Sequence, residues 1–147
     1  MTALELPAPD APAEEWGRLA VSLPGWRWMP GMRWLLPTDA PQPQAGRVYD
    51  ETQAAWWNDP RTDVDGDSVP DPDDPATAGC LLALLGRPVE VRLYRDAGVT
   101  RYPRVGCLLS EGRSRHASTL GRACIATAAV LGSWPGGSDT PSGQRAP

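Results

Sequence analysis

Asp74-Pro75-Ala76-Thr77-Ala78-Gly79-Cys80-Leu81-Leu82-Ala83-Leu84-Leu85-Gly86-Arg87-Pro88 is the stretch on which the fold turns. Asp74 stands at the N-cap of a helix, where its carboxylate accepts otherwise unpaired N–H groups, and Pro75 at the next position loses nothing by lacking one. The helix so predicted, Pro75 to Leu85, is apolar on nearly every side through Cys80, Leu81, Leu82, Leu84 and Leu85. A helix without a polar face belongs at the centre of a core. Gly86 supplies its left-handed stop and Pro88 blocks continuation.

Immediately upstream, Asp63, Asp65, Asp67, Asp71, Asp73 and Asp74 place six carboxylates within twelve residues. Like charges this dense repel unless water or a cation separates them. Read as a calcium loop, ligands fall at Asp63, Asp65, Asp67, the Val69 carbonyl, Asp71 and Asp74, the alternating oxygen spacing that wraps a hard cation. Two features oppose this. Ser68 occupies the position that wants a turn glycine, and Asp74 is committed to the helix cap. The bland reading is a solvated acidic lead-in.

Outward from this centre, Trp16, Leu19, Ala20 and Leu23 fall at i, i+3, i+4 and i+7, predicting an amphipathic helix over 12–22 that stops at Pro24-Gly25. Alternation in 26–29 and 32–36 around Pro30-Gly31 predicts two short strands joined tightly. Residues 37–46 read as loop, 47–51 as a short strand, and Trp56-Trp57 as the opening of the acidic loop. Val89, Val91 and Leu93 alternate with polar partners in a half-buried strand, and Val99 to Leu108 returns as a second, with Pro103 marking an edge or bulge. Leu120, Cys124, Ala128 and Leu131 line one face of a final helix over 117–131. The expected architecture is a small single α+β domain over 12–132. Short antiparallel strands and hairpins pack on a central apolar helix and a C-terminal helix, with a flexible leader (1–11) and a disordered tail (133–147).

Composition agrees with one modest core. Hydrophobic residues make up 41% of 147, while 15 Gly and 17 Pro point to much loop. The chain has no Phe, all 14 of its basic residues are Arg, and Asn58 and Ile125 are single. Those four scarce residues share AT-rich codons, so a GC-rich genome, bacterial or of a phage of such a host, is the simplest cause. Residues 1–86 hold five Arg against fourteen acids and residues 87–147 nine Arg against four, a split of −9 and +5 that sums to the net −4. Such halves either pair internally or offer the basic half to a partner. The start has no basic and apolar signal pattern, and the longest uncharged apolar run, Ala78 to Leu85, is too short for a bilayer, so the host cytoplasm is the expected location and no membrane partner is expected. Three cysteines with no paired spacing argue against a disulfide framework.

Gly25-Trp26-Arg27-Trp28-Met29-Pro30-Gly31-Met32, followed by Val69-Pro70-Asp71-Pro72-Asp73-Asp74-Pro75-Ala76-Thr77-Ala78-Gly79-Cys80-Leu81-Leu82-Ala83-Leu84-Leu85, resembles a family of short tailed-phage and prophage proteins. In that family a W-x-PGM segment precedes a PD-x-x-DPAT-x-GCLL-x-L segment, with a hairpin and an alanine-rich helix after it. The match spans about residues 14–132 and departs after Leu85, where Gly86-Arg87-Pro88 cuts the helix short. The resemblance implies an origin and a fold, and no activity.

No catalytic motif is present: G-x-S-x-G, the P-loop and G-x-G-x-x-G are all missing. His116, the single histidine, lies among Arg113, Ser114 and Arg115. Cys80, Cys107 and Cys124 are too scattered to frame a zinc site. No catalysis and no cofactor is expected, calcium being the one candidate ion. Two binding surfaces remain. Trp56 and Trp57, in polar surroundings, suit a partner anchor. Arg92, Arg95 and Arg104 lie in the Arg-rich hairpin 87–104 with Tyr94 and Tyr102 between them, a pattern that tracks phosphates and stacks bases. The expected function is that of a phage or prophage accessory protein that binds a protein partner, host- or defence-directed. The alternatives are the calcium module and a nucleic-acid binder, the latter less favoured because the whole chain is acidic.

Overall fold

The computed structural model describes residues 5–37, 44–61, 67–94, 104–109 and 114–137. In chain order it contains α1 (Ala13–Ser22), β1 (Arg33–Leu36), β2 (Gln44–Arg47), α2 (Glu51–Asn58), β3 (Val69–Pro70), α3 (Pro75–Leu85), β4 (Val89–Tyr94), β5 (Arg104–Leu109), β6 (Ser114–Ala117) and α4 (Leu120–Leu131). This is a small α+β protein. One antiparallel sheet runs β2-β1-β3 and a second β4-β5-β6. Helix α3 packs on α4, α4 covers β5 and β6, and α1 lies across β3 and α4.

The central helix forms as its sequence dictates. The Asp74 carboxylate accepts from the Thr77 N–H at 3.0 Å, Pro75 opens the first turn, and Gly86 closes the last at φ +63°. Leu81, Leu84 and Leu85 are buried. Leu82, on the same apolar stretch, is only partly buried, because α3 meets its neighbours on one side. Helix α1 buries Trp16 and Ala20 and half-covers Leu19, as its spacing predicts.

Several local expectations give way to longer-range bonding. Residues 26–29 are not a strand: the Trp28 N–H and C=O are both taken by the Asn58 side-chain amide, at 2.7 and 2.9 Å, which stands in for a sheet neighbour. Strand β1 pairs instead with β2, Trp34 opposite Gly46, inside the stretch read as loop. The strand expected over 47–51 ends at Arg47, because Asp50 caps α2 by accepting from the Gln53 N–H at 2.8 Å. Trp56 and Trp57 therefore lie in a helix and not in a loop. Helix α4 begins at Leu120, three residues later than expected, since Thr119 is its cap and 114–117 pair with β5 as β6. The returning strand is Arg104–Leu109, and 99–103 lie outside the described residues.

Both ends reach further into the body than their composition suggests. Ser133 to Gly137, expected in the tail, pack inside: Trp134 is fully buried, its indole N–H donates to the Ala20 carbonyl at 2.9 Å and the Gly136 N–H donates to that of Leu84 at 2.8 Å. In the expected leader, Ala11 is buried and the Ala8 carbonyl accepts from the Trp16 indole at 3.0 Å. A large aromatic with a bonded N–H outweighs the entropy of a Pro/Gly segment. Leu84→Ala is expected to cost about 2–5 kcal/mol in urea unfolding, and Leu82→Ala distinctly less; equal losses would show that α3 is buried all round.

Candidate functional site

The acidic run is the first place to look for chemistry, and its second half is built into the core. Pro70, Asp71 and Pro72 are buried between the helices. Helices α1 and α4 close on this segment through glycines: a Cβ on Gly17 would strike the Pro70 carbonyl, and one on Gly121 the Pro72 carbonyl. Only backbone without a side chain fits so near another backbone.

Each of the next carboxylates holds a different arginine. Asp71 pairs with Arg33 of β1 at 3.1 Å and accepts from the Asp73 N–H at 3.0 Å. Asp73 takes a two-pronged grip from Arg122 of α4, both prongs at 2.9 Å, and a third bond from the Thr119 hydroxyl at 2.9 Å. Asp74 takes both prongs of Arg47 of β2 at 2.9 and 3.0 Å, in addition to capping α3. The Arg33 N–H reaches the Thr77 hydroxyl at 2.8 Å, which itself bonds Asp74 at 3.0 Å. The far side of Arg122 donates to the Pro9 and Ala11 carbonyls at 2.9 and 2.6 Å. One turn of chain thus ties β1, β2, α3, α4 and the N-terminal segment.

The electrostatics follow from this bonding. Hydrogen bonds from Arg47 hold the Asp74 carboxyl down to about 2, burial opposing and Thr77 assisting. Burial pushes Asp73 up, but the bonds from Arg122 and Thr119 and the Arg122 charge outweigh it and leave it lowered. Burial dominates at Asp71, whose carboxyl is raised, the Asp73 N–H and Arg33 only partly offsetting it. A carboxylate with a depressed folded pKa adds stability above its unfolded pKa of about 3.9 that is lost as pH falls through the folded value. Asp73 and Asp74 therefore withdraw support on acidification below about pH 4, while proton uptake at Asp71 works the other way. Asp74→Asn should lower stability at pH 7 and flatten its decline between about pH 4 and pH 2 in pH-dependent urea unfolding; an unchanged slope would mean that Arg47 does not govern Asp74.

This arrangement bears on the calcium reading. Asp63 and Asp65 lie outside the described residues. Val69 is buried in β3 opposite Leu35, and Asp71 and Asp74 face guanidinium groups. A cation would have to displace two arginines to use them. Among the described residues, no group of three or more His, Cys, Asp or Glu is placed to hold a metal ion. Burial, with Asp74 nearby, pushes the Cys80 thiol up and so away from nucleophilic use.

The other candidates lie on the surface. Helix α2 docks by Trp57 and Asn58. The Trp57 ring sits 4.9 Å from Trp28 and 5.7 Å from Trp34, and Trp28 leads on to Trp26 at 5.4 Å and thence to Trp134 at 6.0 Å. Trp34 in turn covers Gly46, where any side chain would enter its ring. Outside this ladder Trp56, 50% exposed, stands edge-on to Trp57 at 6.2 Å and 84°. Tyr49, just before the α2 cap, is 73% exposed, and its N–H is held by the Gln53 side chain at 2.7 Å. The residue pattern singled out Trp56 and Trp57 but not Tyr49. Its signal was present in Asp50-Glu51-Thr52-Gln53, a D-x-x-Q capping pattern that announces α2.

In the second sheet, Tyr94 stands opposite Arg104 and Arg92 opposite Gly106, which is opposite His116. Arg92, Tyr94, Arg104 and His116 therefore occupy register positions of one face. Arg95 lies outside the described residues. No helix among the described residues is long and apolar enough to cross a membrane. Comparisons with protein-family models, curated proteins and solved structures return no match for this chain.

Proposed function

We propose that this is a phage or prophage accessory protein that acts by binding a protein partner, and that the Tyr49–Trp56 face of α2 is where it docks. The observation that carries this reading is Trp56, half exposed on a helix whose neighbouring tryptophan is wedged against two others. Trp and Tyr dominate the energetics of protein interfaces because they bring large contact area with few rotatable bonds. The ladder of rings behind Trp56 fixes the helix before a partner arrives, so less freedom is lost on docking. The resemblance to tailed-phage proteins supports the origin, and the absence of any catalytic motif from the sequence supports binding over chemistry.

A photo-crosslinking residue placed at 49 or 56 should yield one discrete product in extracts of cells carrying the gene. The same residue at position 15, an exposed site on α1, should yield none. Trp56→Ala should abolish the product from position 49 without changing the melting temperature. Equal products from position 15, or none from 49 and 56, contradict the docking face.

The register of the second sheet favours one further reading, a nucleic-acid interface through Arg92, Tyr94 and Arg104 on their shared face. Such binding falls steeply with salt as counterions are released, and removing a phosphate-binding arginine makes that slope shallower. Arg92→Ala with Arg104→Ala should weaken low-salt binding to single- and double-stranded probes and lower the salt slope by about two. No retardation at about 100 µM protein, the weak end of non-specific binding, eliminates it.

A further inference from the structure

The second sheet ends in a strand whose sequence is matched to a copy of itself. Strand β4 runs from Val89 to Tyr94 without a proline or glycine and pairs with β5 on one side. Among the described residues no strand lies on its other side. The rows of the sheet fix which positions share a face: Leu93 stands opposite Val105, and Val105 opposite Ala117. Ala117 is buried in the core with residues of α4, so positions 89, 91 and 93 fall on the sheet face that meets α4. That helix covers β5 and β6, whereas the main neighbour of β4 among the described elements is β5. Val89 is accordingly half-buried and Val91 45% exposed. A proline-free edge carrying an exposed valine is a template for another strand.

The order of residues in β4 specifies that strand. Val89-Glu90-Val91-Arg92-Leu93 is self-complementary about Val91. Laid antiparallel against a second copy, Val91 meets its own counterpart, Glu90 meets Arg92 on either side of it, and Val89 meets Leu93 at both ends. Opposite charges set directly across a sheet stabilise it, as do apolar pairs, and like charges destabilise it. Sliding one copy by two residues sets Glu90 against Glu90 or Arg92 against Arg92. Sliding it by one turns the apolar face of one copy toward the polar face of the other. Only the register centred on Val91 joins opposite charges. A carboxylate has about four acceptor sites and a guanidinium five donors, so this meeting adds to whatever bonds either group makes within its own chain.

We infer that two copies of this chain join edge to edge through β4, antiparallel about a two-fold axis at Val91, so that two three-stranded sheets become one. The interface is isologous, each copy giving the same strand. Main-chain hydrogen bonds between the edges supply affinity, and the Glu90–Arg92 pairs supply register. The two α4 helices then lie on the same face of the joined sheet, and the Val91 side chains cover one another between them. This surface is separate from the Tyr49–Trp56 face and does not depend on it.

Sedimentation equilibrium of the full chain should show a reversible dimer, at twice the 15.8 kDa chain mass. Glu90→Arg sets arginine against arginine at both meeting points, and Arg92→Glu sets glutamate against glutamate. Each should weaken self-association by about tenfold. Mixing the two variants restores opposite charges in every pair, so the mixture should form a heterodimer of near wild-type affinity. Far-UV circular dichroism checks that each variant folds. Val91→Cys supplies a second reading that needs neither charge reversal. The two Cα atoms at position 91 fall about 4.5–5.5 Å apart across an antiparallel pair, within the span of a disulfide. Mild oxidation should therefore link two copies of Val91→Cys, and should link wild type and Glu15→Cys far less. A single-chain mass up to about 1 mM, a dimer indifferent to both charge reversals, or no heterodimer from folded variants overturns the inference. So does linking of Val91→Cys no greater than that of wild type.

Discussion

The fold hangs on the grip of Arg122 on Asp73. The arginine side chain is only 9% exposed, its carboxylate partner 36%. A guanidinium that deep is tolerable only if nearly every N–H finds an acceptor, since an unpaired buried charge is among the most destabilising features a protein can contain. Here the carboxylate takes two prongs, and the Pro9 and Ala11 carbonyls take two more N–H groups, so four of the five are satisfied. The N-terminal segment, the 71–74 turn and α4 must therefore arrive together. The Thr119 cap adds a hydroxyl to the same carboxylate, and the N-terminus of α4 favours the negative charge there.

Asp71 and Asp74 extend the arrangement to two strands of the first sheet, β1 through Arg33 and β2 through Arg47. The second half of the acidic run, Asp71, Asp73 and Asp74, is neutralised by arginines drawn from three elements. Arginine suits this duty better than lysine because its planar fork meets a carboxylate at two points, and the chain has no lysine to offer. The uneven charge of the two halves is only partly settled in this way: Asp73 with Arg122 crosses from one half to the other, whereas the Asp71 and Asp74 pairs lie within the acidic half.

What could be read in the sequence was what is decided locally. Helix α3 was legible because Asp74, Pro75 and Gly86 are capping chemistry within a turn of the residues they serve, and α1 because its apolar spacing is regular. Short elements settled by distant partners were not. Residues 26–29 alternate like a strand, yet the backbone N–H and C=O of Trp28 at their centre go to Asn58, 30 residues away. The Asp73–Arg122 pair spans 49 residues, and no pattern in a window of ordinary length reveals which arginine answers which aspartate. The acidic run looked like a solvated or ion-binding loop for that reason. Trp134 was hidden by the Pro and Gly around it, although a tryptophan in a would-be tail was the clue. At the candidate site, Trp56 and Trp57 were visible as unusual residues, but their division of labour, one ring docking the helix and the other facing outward, depends on the rotation of α2 and so on Asn58 and Trp28.

The central claim is that Asp73 and Arg122 act as one unit. A double-mutant cycle with Asp73→Ala, Arg122→Met and both together, measured by urea unfolding at neutral pH, tests it most directly. Asp73→Ala alone should be the worst variant, losing about 3 kcal/mol, the low end for a broken buried pair given the partial exposure of the carboxylate. The double variant, with an apolar side chain in place of the buried charge, should recover part of that loss, giving a coupling energy above about 1 kcal/mol. Additive losses with no coupling would contradict the account and leave the fold resting on its apolar core alone.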